Sequence, residues 1–243
     1  MFVEQYQSAV TGVLSAIFEQ EQQKIREAGK ALADTLEHDG LLHVFGCGHS
    51  HILAEELFYR AGGLAAVSPI FESSAMLHEG AVKSSEIERL SGYAQWVAAR
   101  YPIQKGDCFL IVSSSGINPF AIEMAQEASA RGARVIGISS FVYRTEASRE
   151  KDGLHLPDVC DLCIDNHVPH GDATVTVRTD GTKAGPVSTI ASVAIANSIV
   201  LAACDALRAR GIEPDVFRSG NLPDGDERNH DLIQRFQLRV KHL

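Results

Sequence analysis

Two apolar runs in this chain end in small residues and pass straight into helical sequence, which restricts the fold more than any other feature. Residues 41–46 (LLHVFG) lead into Gly46-Cys47-Gly48-His49-Ser50, and residues 107–112 (DCFLIV) lead into Ser113-Ser114-Ser115-Gly116-Ile117-Asn118. Short unbroken apolar runs bounded by glycine suit strands buried on both faces of a parallel sheet. LAAVSPI (64–70), RVIGISS (134–140) and CDLCID (160–165) have the same character. Helical segments lie between them. Ser50 is a candidate N-cap for HILAEELFYR, which Gly62-Gly63 would stop. Asn118 and Pro119 supply an N-cap and an N1 proline for a helix through Ala130, stopped by Gly132. Strands alternating with helices imply an α/β fold, a doubly wound and mainly parallel sheet with helices on both faces.

The ends of the chain are helical. Val3, Tyr6, Val10, Val13, Ile17, Ile25, Ala28 and Leu32 recur at three- and four-residue steps, predicting a helix over 3–36 with a kink near Gly29. Further helices are expected over 86–101, 188–210 and from Asp231 onward, and the alternating ATVTV (173–177) reads as an exposed edge or flap.

Composition limits the partners. Lys and Arg number 22 against 31 Asp and Glu, a net charge of −9, and no basic stripe interrupts it, so nucleic acid is not an expected partner. The N-terminus carries Glu4 and no basic, apolar leader, which argues against a secretory signal. The most apolar stretch, 189–204, is broken by Ser192, Asn197 and Ser198 and suits a buried helix better than a membrane span. Five scattered cysteines fit a reducing cytoplasm. Cys160 and Cys163 form a lone C-x-x-C, expected to point to opposite faces of a strand and to be structural.

An acidic chain can still hold an anion locally. At the carboxyl ends of parallel strands, helix N-termini offer unpaired N–H groups and a partial positive charge. Serine hydroxyls add donors, and glycine lets the backbone approach. Each loop by itself is equally an ordinary helix cap; two in one sheet point to a phosphate-type site. A dinucleotide fingerprint is disfavoured because His51 stands at its third glycine position, and neither loop has the G-K-[ST] of a P-loop.

These motifs, G-C-G-H-S and then S-S-S-G-I-N-P-F followed by RVIGISS, resemble the sugar isomerase (SIS) phosphosugar-binding family, over roughly residues 1–220. Gly185-Pro186-Val187-Ser188-Thr189, opening the long apolar helix, is similar to the SIS segment that closes over the ligand. With its ending S-G-N-L-P-D-G-D-E-R-N the chain looks most like a bacterial SIS branch resembling phosphoheptose isomerase. The resemblance implies a single SIS domain over 1–243, with a helical extension at 1–38, the α/β core at 39–211 and a C-terminal segment and helix at 212–243. It implies a cytoplasmic homodimer or homotetramer with its site near a subunit interface, and a sugar phosphate as ligand. Gly48, His49, Ser50, Ser113, Ser114, Ser115, Gly116, Asn118, Ser188 and Thr189 would line that site.

Aldose–ketose isomerisation needs a base that moves a proton between adjacent carbons and a group that handles the oxygen proton. Ala54-Glu55-Glu56-Leu57 resembles the A-E-E-L of phosphoheptose isomerase, whose second glutamate is catalytic, and this implies Glu56 as the base. A solvated helix face is the competing reading. His78 and Glu79, in the loop after the second strand, offer an assisting pair. Departures from that relative are clear: Ile52 stands where it has a metal-ligand histidine, and the last long helix carries Asn197 and no histidine. No metal and no cofactor are therefore expected. His167, His170 and Asp172 could hold a metal, but a capped turn is the simpler expectation, and His230 is expected at the surface or an interface. A non-catalytic phosphosugar-binding module and a sugar-phosphate lyase or etherase are the alternatives.

Overall fold

The computed structural model describes residues 1–243. Its centre is a five-stranded parallel sheet in the order β2-β1-β3-β4-β5, formed by β1 (Leu42–Gly46), β2 (Val67–Pro69), β3 (Cys108–Val112), β4 (Arg134–Ser139) and β5 (Leu162–Asp165). β1, β3 and most of β4 are buried on both faces, as their unbroken apolar runs require. Side chains alternate between two cores. Leu42, Val44, Leu110, Val112 and Ile138 face α1 (Phe2–Gln20), α2 (Gln22–Glu37), α3 (Ile52–Leu57) and α8 (Ser188–Ala209). Phe45, Phe109, Ile111 and Val135 face α5 (Ala94–Ala98) and α6 (Pro119–Ala130), with α4 (Ala81–Glu88) beside them and α7 (Leu156–Val159) against the end of β4. This is the doubly wound α/β architecture the sequence implied.

The remaining elements lie outside the main sheet. β6 (Ala173–Thr176) and β7 (Lys183–Pro186) form an antiparallel ribbon, the flap expected of ATVTV. α9 (Gly225–Phe236) starts six residues earlier than expected and packs Phe236 with Phe217 and Val240 on Leu41, Ala65 and Ala66.

Inside the sheet, β1 and β3 are tied together by a buried carboxylate. Asp107 accepts hydrogen bonds from the backbone N–H of Leu41 (2.9 Å) and of Gln104 (3.0 Å) and pairs with His43 Nε2 (3.0 Å). His43 and Asp107 are essentially inaccessible to solvent, so this polar group is held where an unpaired one would cost several kcal/mol.

Several boundaries differ from the sequence reading. The N-terminal helix is two helices broken at Glu21, not one kinked at Gly29. Gly29 is instead the point where α2 touches α8: a Cβ there would lie 2.4 Å from Ala202 Cβ and 2.8 Å from its carbonyl carbon. Only glycine permits that approach. The helix expected over 86–101 is split into α4 and α5, with Gly92 in a left-handed turn between them. Ser50 does not cap a helix, since it sits inside a 3₁₀ turn (Gly48–His51) that leads into the short α3. Cys160 precedes β5, so the two cysteines do not alternate across a strand. Both sulfurs pack against Gly137, and the Cys163 neighbour and burial push the Cys160 thiol up, away from thiolate chemistry. The apolar stretch within α8 packs in the core: Ala191, Ile195, Ile199 and Ala203 are fully buried.

Two glycines on helices test this packing with opposite signs. Alanine is favoured over glycine in a helix by about 0.5–1 kcal/mol. Gly12 on α1 has open space around it, so Gly12→Ala raises the urea midpoint. At Gly29 the overlap with Ala202 outweighs the propensity gain, and Gly29→Ala lowers the midpoint by an amount equivalent to about 1–3 kcal/mol.

Candidate functional site

In an open sheet of this order the chain leaves β1 toward opposite sides, through β2 on one flank and β3 on the other. Loops after β1 and β3 then splay apart and leave a crevice at their carboxyl ends. The structure puts a small polar recess there. It is lined by His49 and Ser50 from the β1 loop, Val112 and Ser114 from the β3 loop, Leu53 of α3, and Ser188, Thr189 and Ser192 from the first turns of α8. Five of the sequence-designated residues, His49, Ser50, Ser114, Ser188 and Thr189, therefore converge from three separate parts of the chain. A roomier cleft exists at the opposite end of β1, but Glu37, Asp39, Glu213 and Asp215 line it against one cation, Arg235, which Asp39 and Asp215 already pair, a charge balance hostile to an anion.

The hydrogen bonds around the recess decide which hydroxyls have a proton to give. Asn166, fully buried, donates its amide to Ser114 Oγ (3.3 Å) and Ser192 Oγ (3.4 Å), while its own Oδ1 accepts from the Val168 N–H (3.2 Å). With an acceptor lone pair of each hydroxyl engaged, the Ser114 and Ser192 protons are free to point into the recess. The backbone N–H groups of Ser114 and Ser115 donate to nothing within the chain. Ser188 differs. Its hydroxyl donates to Asp172 Oδ2 (2.6 Å), and Asp172 Oδ1 accepts the N–H groups of Val187 (2.9 Å) and Ser188 (2.8 Å). Toward a ligand, Ser188 Oγ is thus an acceptor, suited to a sugar hydroxyl rather than to a phosphate oxygen.

Other designated residues support the loop without lining the recess. Ser113 Oγ accepts the Gly116 N–H (3.2 Å) and closes the turn. Gly116 takes a left-handed conformation (φ 61°) with Ser139 Oγ 2.6 Å from where a Cβ would sit, so a side chain there would be strained and would have to displace the Ser139 hydroxyl. Asn118 occupies the N-cap position of α6 but makes no capping bond: it donates to Glu88 (2.7 Å) and accepts from Arg149 (2.8 Å). Ser115 is half-buried and its side chain has no partner within the chain. Gly48 contributes its carbonyl to His51 Nδ1.

The acid–base candidates separate. Glu56 faces α8, where its carboxylate accepts from Asn197 Nδ2 (3.1 Å) and forms an ion pair with Arg60, outside the recess. Glu79 turns outward to Lys83 and Ser73, whose hydrogen bonds hold its carboxyl below the usual range. His78 turns the other way, toward His51 with ring centroids 5.3 Å apart. His51 Nε2 lies 3.2 Å from Glu55 Oε1, and the ligand atoms of His51, Glu55 and His78 all lie within 4.8 Å of one another. The four-residue spacing of His51 and Glu55 is legible in the sequence as one helical turn, whereas the arrival of His78 is not. Asn166 and Ser192 were also missed, because no spacing links them to the serine loop. His167, His170 and Asp172 do not assemble: Asp172 caps α8, His170 pairs with Glu146 (3.3 Å), and His167 lies nearest Glu21 (3.5 Å). His230 is exposed on α9, in line with the expected surface position, and bonds Gln234.

Comparison with known proteins agrees with this architecture. The SIS domain family matches residues 5–140, more than half of the chain. A UPF0309 protein of Geobacillus thermodenitrificans is 41% identical over 99% of this chain and 97% of its own length. Another from Caldanaerobacter subterraneus is 42% identical over 91% of this chain and 92% of its own. Among solved structures, phosphoheptose isomerase GmhA from Neisseria gonorrhoeae has a TM-score of 0.54 at 17% identity, covering 83% of this chain and 97% of that one. The Vibrio vulnificus NanR protein complexed with ManNAc-6P has a TM-score of 0.57 at 15% identity, covering 97% and 70%. The protein is an α/β protein with a switch-point recess; it belongs to the SIS-domain family, and these UPF0309 relatives match it over 91% and 99% of its length.

The loop that carries His78 is anchored by Glu72. Burial pushes the Glu72 carboxyl up, but hydrogen bonds from Ser74 (2.6 Å) and Tyr93 (2.8 Å), with the Arg100 guanidinium, hold it below the ordinary glutamate value. A pKa lower in the folded than in the unfolded chain gives stability that is complete above the unfolded value and is lost as pH falls through the folded one. Glu72→Gln therefore lowers the urea midpoint at neutral pH, and its difference from the parent shrinks as the pH is taken down through the carboxylate range.

Proposed function

We propose that this protein binds a phosphorylated sugar in the switch-point recess and isomerises it between aldose and ketose forms. The observation that carries the binding half is the convergence of the free Ser114 and Ser192 hydroxyl donors in the recess, beside a loop whose Ser114 and Ser115 backbone N–H groups have no partner within the chain. A phosphate accepts hydrogen bonds only, and these are groups with protons to give. Ser188, committed as an acceptor, and His49 suit the sugar's hydroxyls. The structural neighbours named for phosphoheptose isomerase and for ManNAc-6P binding support the same ligand class.

Isomerisation requires a carboxylate to take the proton from the carbon next to the carbonyl, giving an enediolate. The proton then returns to the former carbonyl carbon while the neighbouring hydroxyl becomes the new carbonyl. Glu56, released from Arg60 and Asn197 when the ligand enters, is the base in this reading, with His78 handling the oxygen proton. The tethered position of Glu56 favours a second reading, a phosphosugar-binding module without turnover. The whole chain acts as one SIS domain, because its terminal helices complete the cores of the sheet. Exposed Phe2, Val3 and Phe18 on α1 and Leu201 on α8 suit burial in a homodimer, and five free thiols suit the cytoplasm.

A panel of hexose, heptose and amino-sugar phosphates distinguishes the readings by thermal shift and by NMR detection of interconversion. Glu56→Gln retaining binding while losing turnover establishes the enzyme. Binding with no turnover of any panel member establishes the module. No binding at all ends the phosphosugar reading.

Asn166 gives a sharper test of the anion site. Asn166→Asp replaces the amide donor by a carboxylate that draws the Ser114 and Ser192 protons to itself and adds a negative charge beside the phosphate. Affinity for the best panel member falls by about 100-fold or more, equivalent to about 2.7 kcal/mol. Circular dichroism checks that the fold is kept.

A further inference from the structure

We infer that His51, Glu55 and His78 form a binding site for a divalent transition-metal ion of the zinc class beside the phosphate recess. Three unlike chain positions supply it. His51 ends the 3₁₀ turn after β1, Glu55 lies one helical turn further on α3, and His78 comes from a separate 3₁₀ turn in the loop after β2. Their ligand atoms lie within 4.8 Å of one another. Tetrahedral zinc bound at about 2.0–2.1 Å needs ligand atoms about 3.3 Å apart. The 3.2 Å His51–Glu55 separation already meets this. His78 and Glu55 are exposed side chains, free to close the rest.

The fixed member of the set is oriented as a metal ligand should be. His51 is 5% exposed, and its Nδ1 engages the Gly48 carbonyl. A carbonyl only accepts, so Nδ1 carries the proton, and the lone pair of a neutral ring lies on Nε2, the atom facing Glu55 and His78. Metal-ligating histidines are held in this way by a backbone carbonyl on the other ring nitrogen. Two imidazoles and one carboxylate are a borderline-soft N/N/O set that prefers zinc-class ions to magnesium or calcium, and three protein ligands leave a coordination position open.

This ligand set is not one transferred from phosphoheptose isomerase. Ile52 occupies the position of that enzyme's ligand histidine, and α8 carries none. Two neutral histidines and one glutamate with a divalent ion leave a local charge of +1. The recess residue Ser50 immediately precedes His51, and no lysine or arginine lines the recess, so the ion would supply its only full positive charge. On the sugar-phosphate reading, the ion would take over from His78 the stabilisation of a sugar oxygen, since a ligated imidazole has no lone pair left to move a proton; binding of the ion itself does not depend on that reading.

The test uses the full chain, stripped with EDTA and free of sugar phosphate. Zn²⁺ is titrated by calorimetry, and Co²⁺ by its visible absorption. One ion per chain is expected, with the intense Co²⁺ bands of a low-coordinate N/O site. His78→Gln and Glu55→Gln, both exposed, each weaken binding at least about tenfold while leaving the metal-free urea midpoint unchanged. His170→Gln, which breaks the exposed pair with Glu146, leaves binding as it was. No saturable binding, or binding that survives both His78→Gln and Glu55→Gln, overturns the inference. Sugar-phosphate binding that persists without metal binding would sink this site and spare the proposed function; the reverse result would do the opposite.

Discussion

The parallel pairing of β1 with β3, from Leu42 opposite Cys108 to Gly46 opposite Val112, is the constraint on which the site depends. It sets the two strand-to-helix loops side by side while the chain winds outward in both directions. Asp107 secures the entry to that pairing by accepting from Leu41 and Gln104 and binding His43 in a place where no water could substitute. A shift of one residue would turn Val44 and Leu110 into the wrong core and separate the loops. The recess is thus a product of strand register, and its floor is as rigid as the sheet.

Above that floor, proton direction matters more than net charge. The protein carries −9, yet its recess recruits donors by engaging acceptors: Asn166 occupies lone pairs of two serines and so leaves their hydrogens available. Asp172 does the reverse at Ser188, and also takes the exposed amides at the start of α8. One end of the recess therefore presents donors and the other an acceptor. A single carboxylate or amide in the surrounding layer decides which is which.

Much of the fold was legible. The apolar runs at 41–46 and 107–112, the Pro119 helix start and the Gly132 stop each reflect local chemistry that tertiary contacts did not override. Local pattern and structure part where a contact distant in sequence decides the outcome. Gly29 looked like a kink because glycine weakens a helix, but it is there for the approach of Ala202. The 86–101 helix was broken by a left-handed Gly92 whose N–H is taken by Glu123 (2.7 Å). Cys160 and Cys163 do not alternate because β5 starts only at Leu162, two residues beyond the start of the apolar run.

For the site the division is similar. By itself the sequence determined that the chain would fold as a doubly wound sheet and that two serine- and glycine-rich loops would sit at helix starts, because strand burial and turn chemistry are properties of neighbouring residues. Only the tertiary structure decided that Asn166 and Ser192 belong with the serine loop, and that Glu56 is tied to Asn197. It alone brought His78 from the far side of β2 to meet His51 and Glu55. Those relations join residues between 23 and 141 positions apart, and no local periodicity encodes them.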